Sequence, residues 1–192
     1  MKSVKKNFMD CGGSVMDELA LNILDIAYNS IRADASFIRI SILDSIKQNI
    51  IHIEIEDNGK GMTADTIKKV TDPFYTTRTT RVVGLGVPLF KQNAELTGGS
   101  LTIQSQLQVG TKVTAQFIKN HIDTPIMGDI IETMLTLIQA DEQIDYEFEY
   151  VTDENSFVMK TKEMKEILGD VKITEPEVLL WIKEFMKEGL QK

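Results

Sequence analysis

Asp57-Asn58-Gly59-Lys60-Gly61 is the stretch on which the reading of this chain depends. It follows directly on Ile51-His52-Ile53-Glu54-Ile55-Glu56, an apolar/polar alternation that predicts a strand with one buried and one polar face. A carboxylate delivered at the end of such a strand can accept a hydrogen bond from a donor on a ligand. The glycines behind it let main chain come close to that ligand, since neither carries a Cβ. A second Gly-x-Gly, Gly84-Leu85-Gly86, and the pair Gly110-Thr111 stand further along, and Asn29 stands before them. Together these pieces outline a candidate nucleotide pocket, a more specific reading than any one of them alone.

The rest of the composition sets bounds. A chain of 192 residues, 42% hydrophobic and 26% charged, fits one globular domain or a domain with a substantial appendage. No apolar run is long enough to span a bilayer, so no membrane insertion is expected. The basic start, Met1-Lys2-Ser3-Val4-Lys5-Lys6, lacks the apolar stretch of a secretory signal. The single cysteine, Cys11, excludes an internal disulfide framework and fits a reducing, cytoplasmic setting. The net charge of −8 is uneven: residues 1–120 hold 14 Lys/Arg against 12 Asp/Glu, or +2, and residues 121–192 hold 7 against 17, or −10. So acidic a C-terminal third argues against a nucleic-acid partner, whose phosphates need cations. A solvated acidic exterior is the simpler reading of that charge, and a surface for a basic partner is the other.

The chain divides by pattern into a flexible lead-in (1–13), a main unit (14–120) and an acidic helix–hairpin–helix extension (121–192). Ser14 and Asp17 resemble a capping box that opens a helix running through Asn29 to Ala33, with Leu19, Ile23, Ile26 and Ala27 as its buried stripe. Phe37–Leu43 reads as a strand, and Thr63 caps a short helix to Val70. Thr71–Val83 has no clear period and reads as a mobile loop. A helix from Val87-Pro88 to Leu96 and two strands, Leu101–Gln106 and Lys112–Ile118, complete the main unit. In the extension, Ile126–Ala140 reads as an amphipathic helix. Ile144–Thr152 and Ser156–Thr161 read as a hairpin turning at Asp153-Glu154-Asn155. Lys162–Leu168 and Glu175–Glu188 read as helices stopped by Gly169 and Gly189, with Thr174 and Glu177 as a second capping box. Trp181, Phe185 and Met186 are expected to pack this tail onto the body, an exposed partner groove being the lesser reading.

Asp25 and Asn29 lie four apart on one helix face, with Arg32 three residues on. An amide oxygen is a reasonable ligand for Mg²⁺, which keeps several waters and takes few protein ligands. A guanidinium suits phosphate oxygens, and a carboxylate near a water or hydroxyl can act as a general base. For this helix alone, a polar face turned to solvent is the simpler reading. Several competing motifs fail. An EF-hand would need a Glu where Lys68 stands, and Gly-x4-Gly-Lys-Ser/Thr is absent. Gly84-Leu85-Gly86 lacks the third glycine of a dinucleotide site, and the protein-kinase motifs are missing. One Cys and two separated His make no zinc site.

Taken in order, Asp25-x3-Asn29, Asp57-x-Gly59-x-Gly61, Asp72-Pro73-Phe74, Gly84-x-Gly86 and Gly110-Thr111 resemble the successive boxes of the GHKL ATPases, over residues 14–118. That superfamily includes DNA gyrase B, heat-shock chaperones of that type, sensor histidine kinases and mismatch-repair proteins. Asp72-Pro73-Phe74-Tyr75-Thr76-Thr77 and Asn29-Ser30-Ile31-Arg32 look most like the histidine-kinase branch, and small stand-alone bacterial ATP-binding proteins look similar too.

The resemblance implies an α+β chain with a Bergerat fold: a two-layer α/β sandwich on a mixed sheet, here with a small C-terminal α+β extension. It implies ATP and Mg²⁺ as cofactors. Asp57 would bind the adenine amine, Gly59 and Gly61 would shape the base pocket, and Thr111 would support the adenine side. Asn29 would hold Mg²⁺, with Arg32 near the phosphates. Gly84, Leu85 and Gly86 would offer backbone N–H groups to the phosphates at a helix start. Phe74 would anchor a lid, and charge adds Arg78 or Arg81 as phosphate contacts on closure. Two departures stand out. Hydrolytic members carry Glu at the position of Asp25, so Asp25 is a short candidate base. Sensor kinases also carry a helical hairpin with a phospho-accepting His, whereas His52 lies on a strand and His121 follows one, so both read as structural. The expectation is a kinase or phosphotransfer subunit acting on a separate partner protein, in the manner of anti-sigma-factor kinases. The alternatives are a non-catalytic ATP-sensing module whose acidic tail docks a partner, and an ATP-gated ATPase that closes into a homodimer.

Overall fold

Alternation of β-branched and polar residues builds the sheet. The computed structural model describes residues 18–71 and 86–191. Strands β1 (Phe37–Ser45), β2 (Ile50–Asp57), β3 (Ser100–Gln106), β4 (Gly110–Ile118), β5 (Asp145–Thr152) and β6 (Ser156–Lys160) form one sheet in the order β3-β4-β2-β1-β5-β6. Only the β1–β5 pairing is parallel, so the sheet is mixed, as expected. One row of register partners, Ile103, Val113, Ile55, Ile40, Phe148 and Met159, crosses all six strands on the core face. The next row, Gln104, Lys112, Glu56, Arg39, Glu147 and Lys160, lies on the other face and alternates in charge. Its pairs, such as Arg39–Glu147 at 3.2 Å and Lys112–Glu56 at 3.4 Å, are partly exposed and each contributes little.

The helices α1 (Leu19–Arg32), α2 (Ala64–Val70), α3 (Gly86–Leu96), α4 (Ile130–Ala140), α5 (Thr161–Leu168) and α6 (Pro176–Leu190) pack on the sheet and on one another. The predicted stripe of α1, Leu19, Ile23, Ile26 and Ala27, is buried against the core face. Residues 121–192 do not stand apart from this core. β5 lies beside β1, and α4 packs against α1.

Several local expectations hold. Thr63 caps α2 by accepting from the Thr66 N–H at 3.2 Å, Gly169 ends α5, and the β5–β6 turn falls at Asp153–Asn155. Asp153 also reaches the β1–β2 turn, where its carboxylate accepts from Ser45 Oγ (2.5 Å) and from the Ile46 and Lys47 amides (2.7 and 2.9 Å). These donors hold its carboxyl below the usual range, the Ser45 hydroxyl first among them.

The Ser14/Asp17 box, the lead-in and residues 72–83 of the loop lie outside the described residues. Other expectations are corrected. Helix α1 begins at Leu19 with no side-chain cap. Its first amides are instead satisfied by distant chain, Leu19 N–H donating to the Ile126 carbonyl (2.9 Å) and Ala20 N–H to that of Met127 (2.8 Å). Ile126 is thus held beside Glu18, and α4 starts four residues later, where Asp129 accepts from the Glu132 N–H at 2.9 Å. The second capping box does not form, because Thr174 Oγ1 donates to Glu142 at 2.8 Å and Glu175 stands at the N-cap of α6. Met186 is buried, but Trp181 and Phe185 are not.

The helix runs two residues past the expected end at Glu188, so Gly189 lies in its last turn, where Phe157 presses on it. A Cβ there would lie 2.0 Å from Phe157 Cδ2. That ring is wedged between Phe148 and Phe185, with centroids 6.3 and 5.3 Å away. In the last turn of a helix, Gly189→Ala gains at most about 1 kcal/mol of helix propensity. Overpacking costs about 1–3 kcal/mol and should win, so urea melts are expected to show a net loss of stability.

Candidate functional site

Strand β2 ends in a buried carboxylate. Asp57 closes the strand as the register partner of Thr111 on β4, and is 9% exposed. Both of its oxygens are oriented by fixed donors. Ser30 Oγ on α1 donates to Oδ2 at 2.6 Å, and the Gly59 N–H donates to Oδ1 at 2.9 Å. A carboxylate offers about four acceptor positions, so two such bonds leave it capacity for a ligand donor.

The Asp57–Gly61 segment is clamped from both sides. Its Lys60 N–H donates to the Ala33 carbonyl at the end of α1 (2.9 Å), and the Lys60 carbonyl accepts from Gln108 N–H in the β3–β4 turn (2.9 Å). Ser105 on β3 adds a polar hub: its hydroxyl accepts from the Met62 N–H (2.7 Å), donates to the Gly110 carbonyl (2.9 Å) and lies 2.9 Å from Thr111 Oγ1. Asn58 turns the other way, its Oδ1 accepting from the Ser36 and Phe37 amides at 2.9 Å each. The loop is therefore a built element rather than a loose turn. A Cβ on Gly59 would come within 2.7 Å of the Ala33 carbonyl oxygen, so that approach requires glycine.

Between α1, this loop and the sheet lies a cleft with about 670 Å³ of empty space, part of it open to solvent. Asp57, Asn29, Ser30 and Thr111 supply its polar groups, and Ile26, Met62, Val70, Val87, Ile103 and Val113 its apolar walls. A flat apolar ring system with one exocyclic donor suits that mixture.

The structure gathers Asn29, Asp57, Gly61 and Thr111 around one cavity. Asn29 Oδ1 accepts from Arg32 Nη2 at 2.6 Å, and Arg32 itself is exposed. The amide oxygen is thus engaged by Arg32, which would have to release it to a metal ion. Among the described residues, no cluster of three or more His, Cys, Asp or Glu is placed to hold a metal. A bound Mg²⁺ would rest on few protein atoms, which is its usual habit.

Asp25 is placed differently. It is not among the cleft's lining residues, and its Oδ2 is buried without a hydrogen-bond partner. That oxygen lies against the first residue of α3, for a Cβ on Gly86 would sit 1.6 Å from it. Gly86 thus owes its lack of a side chain to Asp25 as well as to any ligand. Phe74, Arg78, Arg81, Gly84 and Leu85 lie outside the described residues. His52 is on β2 and His121 follows β4, neither on a helix.

Sequence reasoning missed Ser30 and Ser105. Ser30 neighbours Asn29 on α1 and was within reach of inference once Asp57 was singled out. Ser105 had no local signal, since its three partners come from two other segments.

Comparison with known proteins adds an independent line. A family model for histidine kinase-, DNA gyrase B- and HSP90-like ATPases matches residues 13–121, more than half of the chain. The sensor histidine kinase ZraS of Escherichia coli K12 is 30% identical over 98 residues, covering 51% of this chain and 21% of ZraS. The sensor histidine kinase YvrG of Bacillus subtilis 168 is 28% identical over 95 residues, covering 47% of this chain and 16% of YvrG. The chain thus spans about a fifth or less of the length of these curated relatives. Among solved structures, the N-terminal domain of a DNA repair protein superposes with a TM-score of 0.52 over 81% of this chain and 58% of its own, at 14% identity, a likeness of fold alone. With the family match spanning the strand, the clamped loop and the helices that flank them, the chain belongs to the histidine kinase-, DNA gyrase B- and HSP90-like ATPase family, the GHKL group.

Proposed function

We propose that the cleft binds ATP with Mg²⁺, and that the chain is a kinase or phosphotransfer subunit passing the γ-phosphoryl group to a separate partner protein. The observation that carries this reading is the buried Asp57 carboxylate, oriented by Ser30 and Gly59 and facing an apolar cleft. In this reading Asp57 accepts from the adenine amine, Gly59 and Gly61 bring main chain to the base, and Thr111 backs it through Ser105. The start of α3 at Gly86, with Gly84 and Leu85 before it, presents N–H groups to the phosphates, where the helix dipole favours anions. Phe74, Arg78 and Arg81 keep their assigned roles as lid anchor and phosphate contacts. Residues 14–120 are the nucleotide-binding unit, and 121–192 the acidic extension that shares its sheet. The setting is the cytoplasm, where ATP and Mg²⁺ are plentiful. Among the described residues, no helix is long and apolar enough to cross a membrane.

Asn29 would hold Mg²⁺ through the oxygen that now accepts from Arg32. Held there, the ion would supply charge neutralisation to the phosphates, and Arg32, released from Asn29, would be the group offered to a phosphate oxygen. Asn29→Ala is expected to weaken Mg²⁺-ATP binding by about tenfold, with a much smaller loss for ATP in EDTA. Titration calorimetry in the two buffers checks this, and equal losses would remove the metal role.

The decisive assay incubates the chain with γ-labelled ATP and proteins that co-purify with it. Label on a partner is the expected result, and label on none counts against a kinase. A non-catalytic ATP sensor is the second reading, favoured by Asp25. Its carboxylate is one methylene shorter than Glu, and its Oδ2 is enclosed behind Gly86 rather than open to the cleft. Saturable ATP binding with neither label transfer nor phosphate release would select that reading.

A further inference from the structure

We propose that the outward face of α6 is a docking surface for a basic amphipathic helix of a partner protein. Helix α6 has two occupied sides. Val178, Ile182 and Met186, spaced four apart, are buried in the core, and Lys183 is ion-paired to Glu132 of α4. The outward side carries Trp181 and Phe185, one turn apart, with rings stacked at 5.8 Å and 15°. Trp181 is 51% exposed and Phe185 37%. Single exposed apolar residues are ordinary, but two stacked aromatics one turn apart on an open helix face mark an interaction surface. The patch is also preset, because Phe185 leans on Phe157 of β6, with ring centroids 5.3 Å apart.

Charge selects the occupant. Glu177 lies one turn before Trp181, Glu184 three residues after it and Glu188 three residues after Phe185, and all three are exposed. Glu184 pairs with Lys187, while Glu177 and Glu188 form no ion pair with the described residues. The surrounding third of the chain carries 17 acidic against 7 basic residues. An aromatic centre with an acidic rim complements an apolar stripe bordered by Lys or Arg, the latter also able to stack on Trp181. A second copy of the chain would bring the same glutamates, and an anionic membrane would bring like charge, so both are disfavoured. The face from Glu177 to Glu188 is about 16 Å long, matched by about three turns of partner helix. The patch sits by β6, at the opposite edge of the sheet from β3, so it does not depend on how the cleft is read.

Trp181 is the only tryptophan of the chain, so its emission reports on the patch directly. The probe is a fluorescein-labelled amphipathic peptide of Lys and Leu, about four helical turns long. Saturable anisotropy with a blue shift of Trp181 emission is expected. Phe185→Ser and the double change Glu177→Lys/Glu188→Lys should each weaken binding about tenfold or more, while Leu96→Ser at the end of α3 should not. The glutamate variant alters only exposed carboxylates, so it remains informative if Phe185→Ser lowers the melting temperature. Equal binding of a scrambled, non-amphipathic peptide would overturn the proposal. So would unchanged affinity in the glutamate variant, a chain dimer abolished by Phe185→Ser, or a Trp181 blue shift with phosphatidylglycerol vesicles.

Discussion

Asp57→Asn is expected to abolish measurable ATP binding while the thermal melt stays close to that of the parent chain. The amide can keep the local hydrogen bonds. Its remaining oxygen accepts from the Gly59 N–H, and its NH₂ can donate to the Ser30 hydroxyl, which turns to accept. What it cannot keep is an acceptor on every side. In the proposed pose one direction toward the cleft changes from oxygen to N–H, opposite the adenine amine. Two donors facing each other in a partly apolar pocket cost about 2–4 kcal/mol, on the order of 100-fold or more in affinity. Calorimetry of ATP binding beside a circular-dichroism melt separates the two effects. Unchanged affinity would mean that the base does not sit on Asp57, and the assignment of the cleft would be lost with it.

What could be read from the chain beforehand was mostly local. The alternation of Ile51, Ile53 and Ile55 with His52, Glu54 and Glu56 defines β2 to within one residue at each end. The carboxylate and glycines that follow locate the cleft, since a strand end, a close main-chain approach and a buried acceptor are all legible in short spacings. What stayed hidden is held by distant partners. The parallel register of Phe37 with Asp145 joins segments far apart in the chain, and nothing within β5 says which strand it will flank. The start of α1 is decided by carbonyls at Ile126 and Met127, and the far wall of the loop by Ser105. Asp129 with Glu132 three residues on is a local cap signal for the observed start of α4, lying within the apolar period that runs back to Ile126. The tail shows a third kind of limit. A helical period places Val178, Ile182 and Met186 inward and leaves Trp181 about 100° around the helix, so its hydrophobicity alone misjudged its exposure.

Gly61→Ala is expected to damage pocket and fold together, which makes it the complement of Asp57→Asn. Gly61 has φ +64°, the left-handed region, where an alanine costs about 1–2 kcal/mol. Space is the harder limit. A Cβ at this position would lie 1.9 Å from the carbonyl oxygen of Gln106, 2.6 Å from its carbonyl carbon and 3.1 Å from the Gly110 carbonyl oxygen. All three are backbone atoms of the β3–β4 hairpin and cannot rotate aside. The loop must lift, which threatens the bonds from Gln108 N–H to the Lys60 carbonyl and from Met62 N–H to Ser105 Oγ, each contributing about 1 kcal/mol. The total, about 2–4 kcal/mol, should appear as an earlier urea midpoint. Gly61 and Met62 both line the cleft, so ATP affinity should fall by about tenfold or more even under conditions where the variant is fully folded. A loose surface turn would behave otherwise, because the hairpin would give way and alanine would leave affinity untouched. A full-affinity Gly61→Ala variant with an unchanged midpoint would therefore show that the clamp between α1 and the β3–β4 hairpin does not shape the cleft.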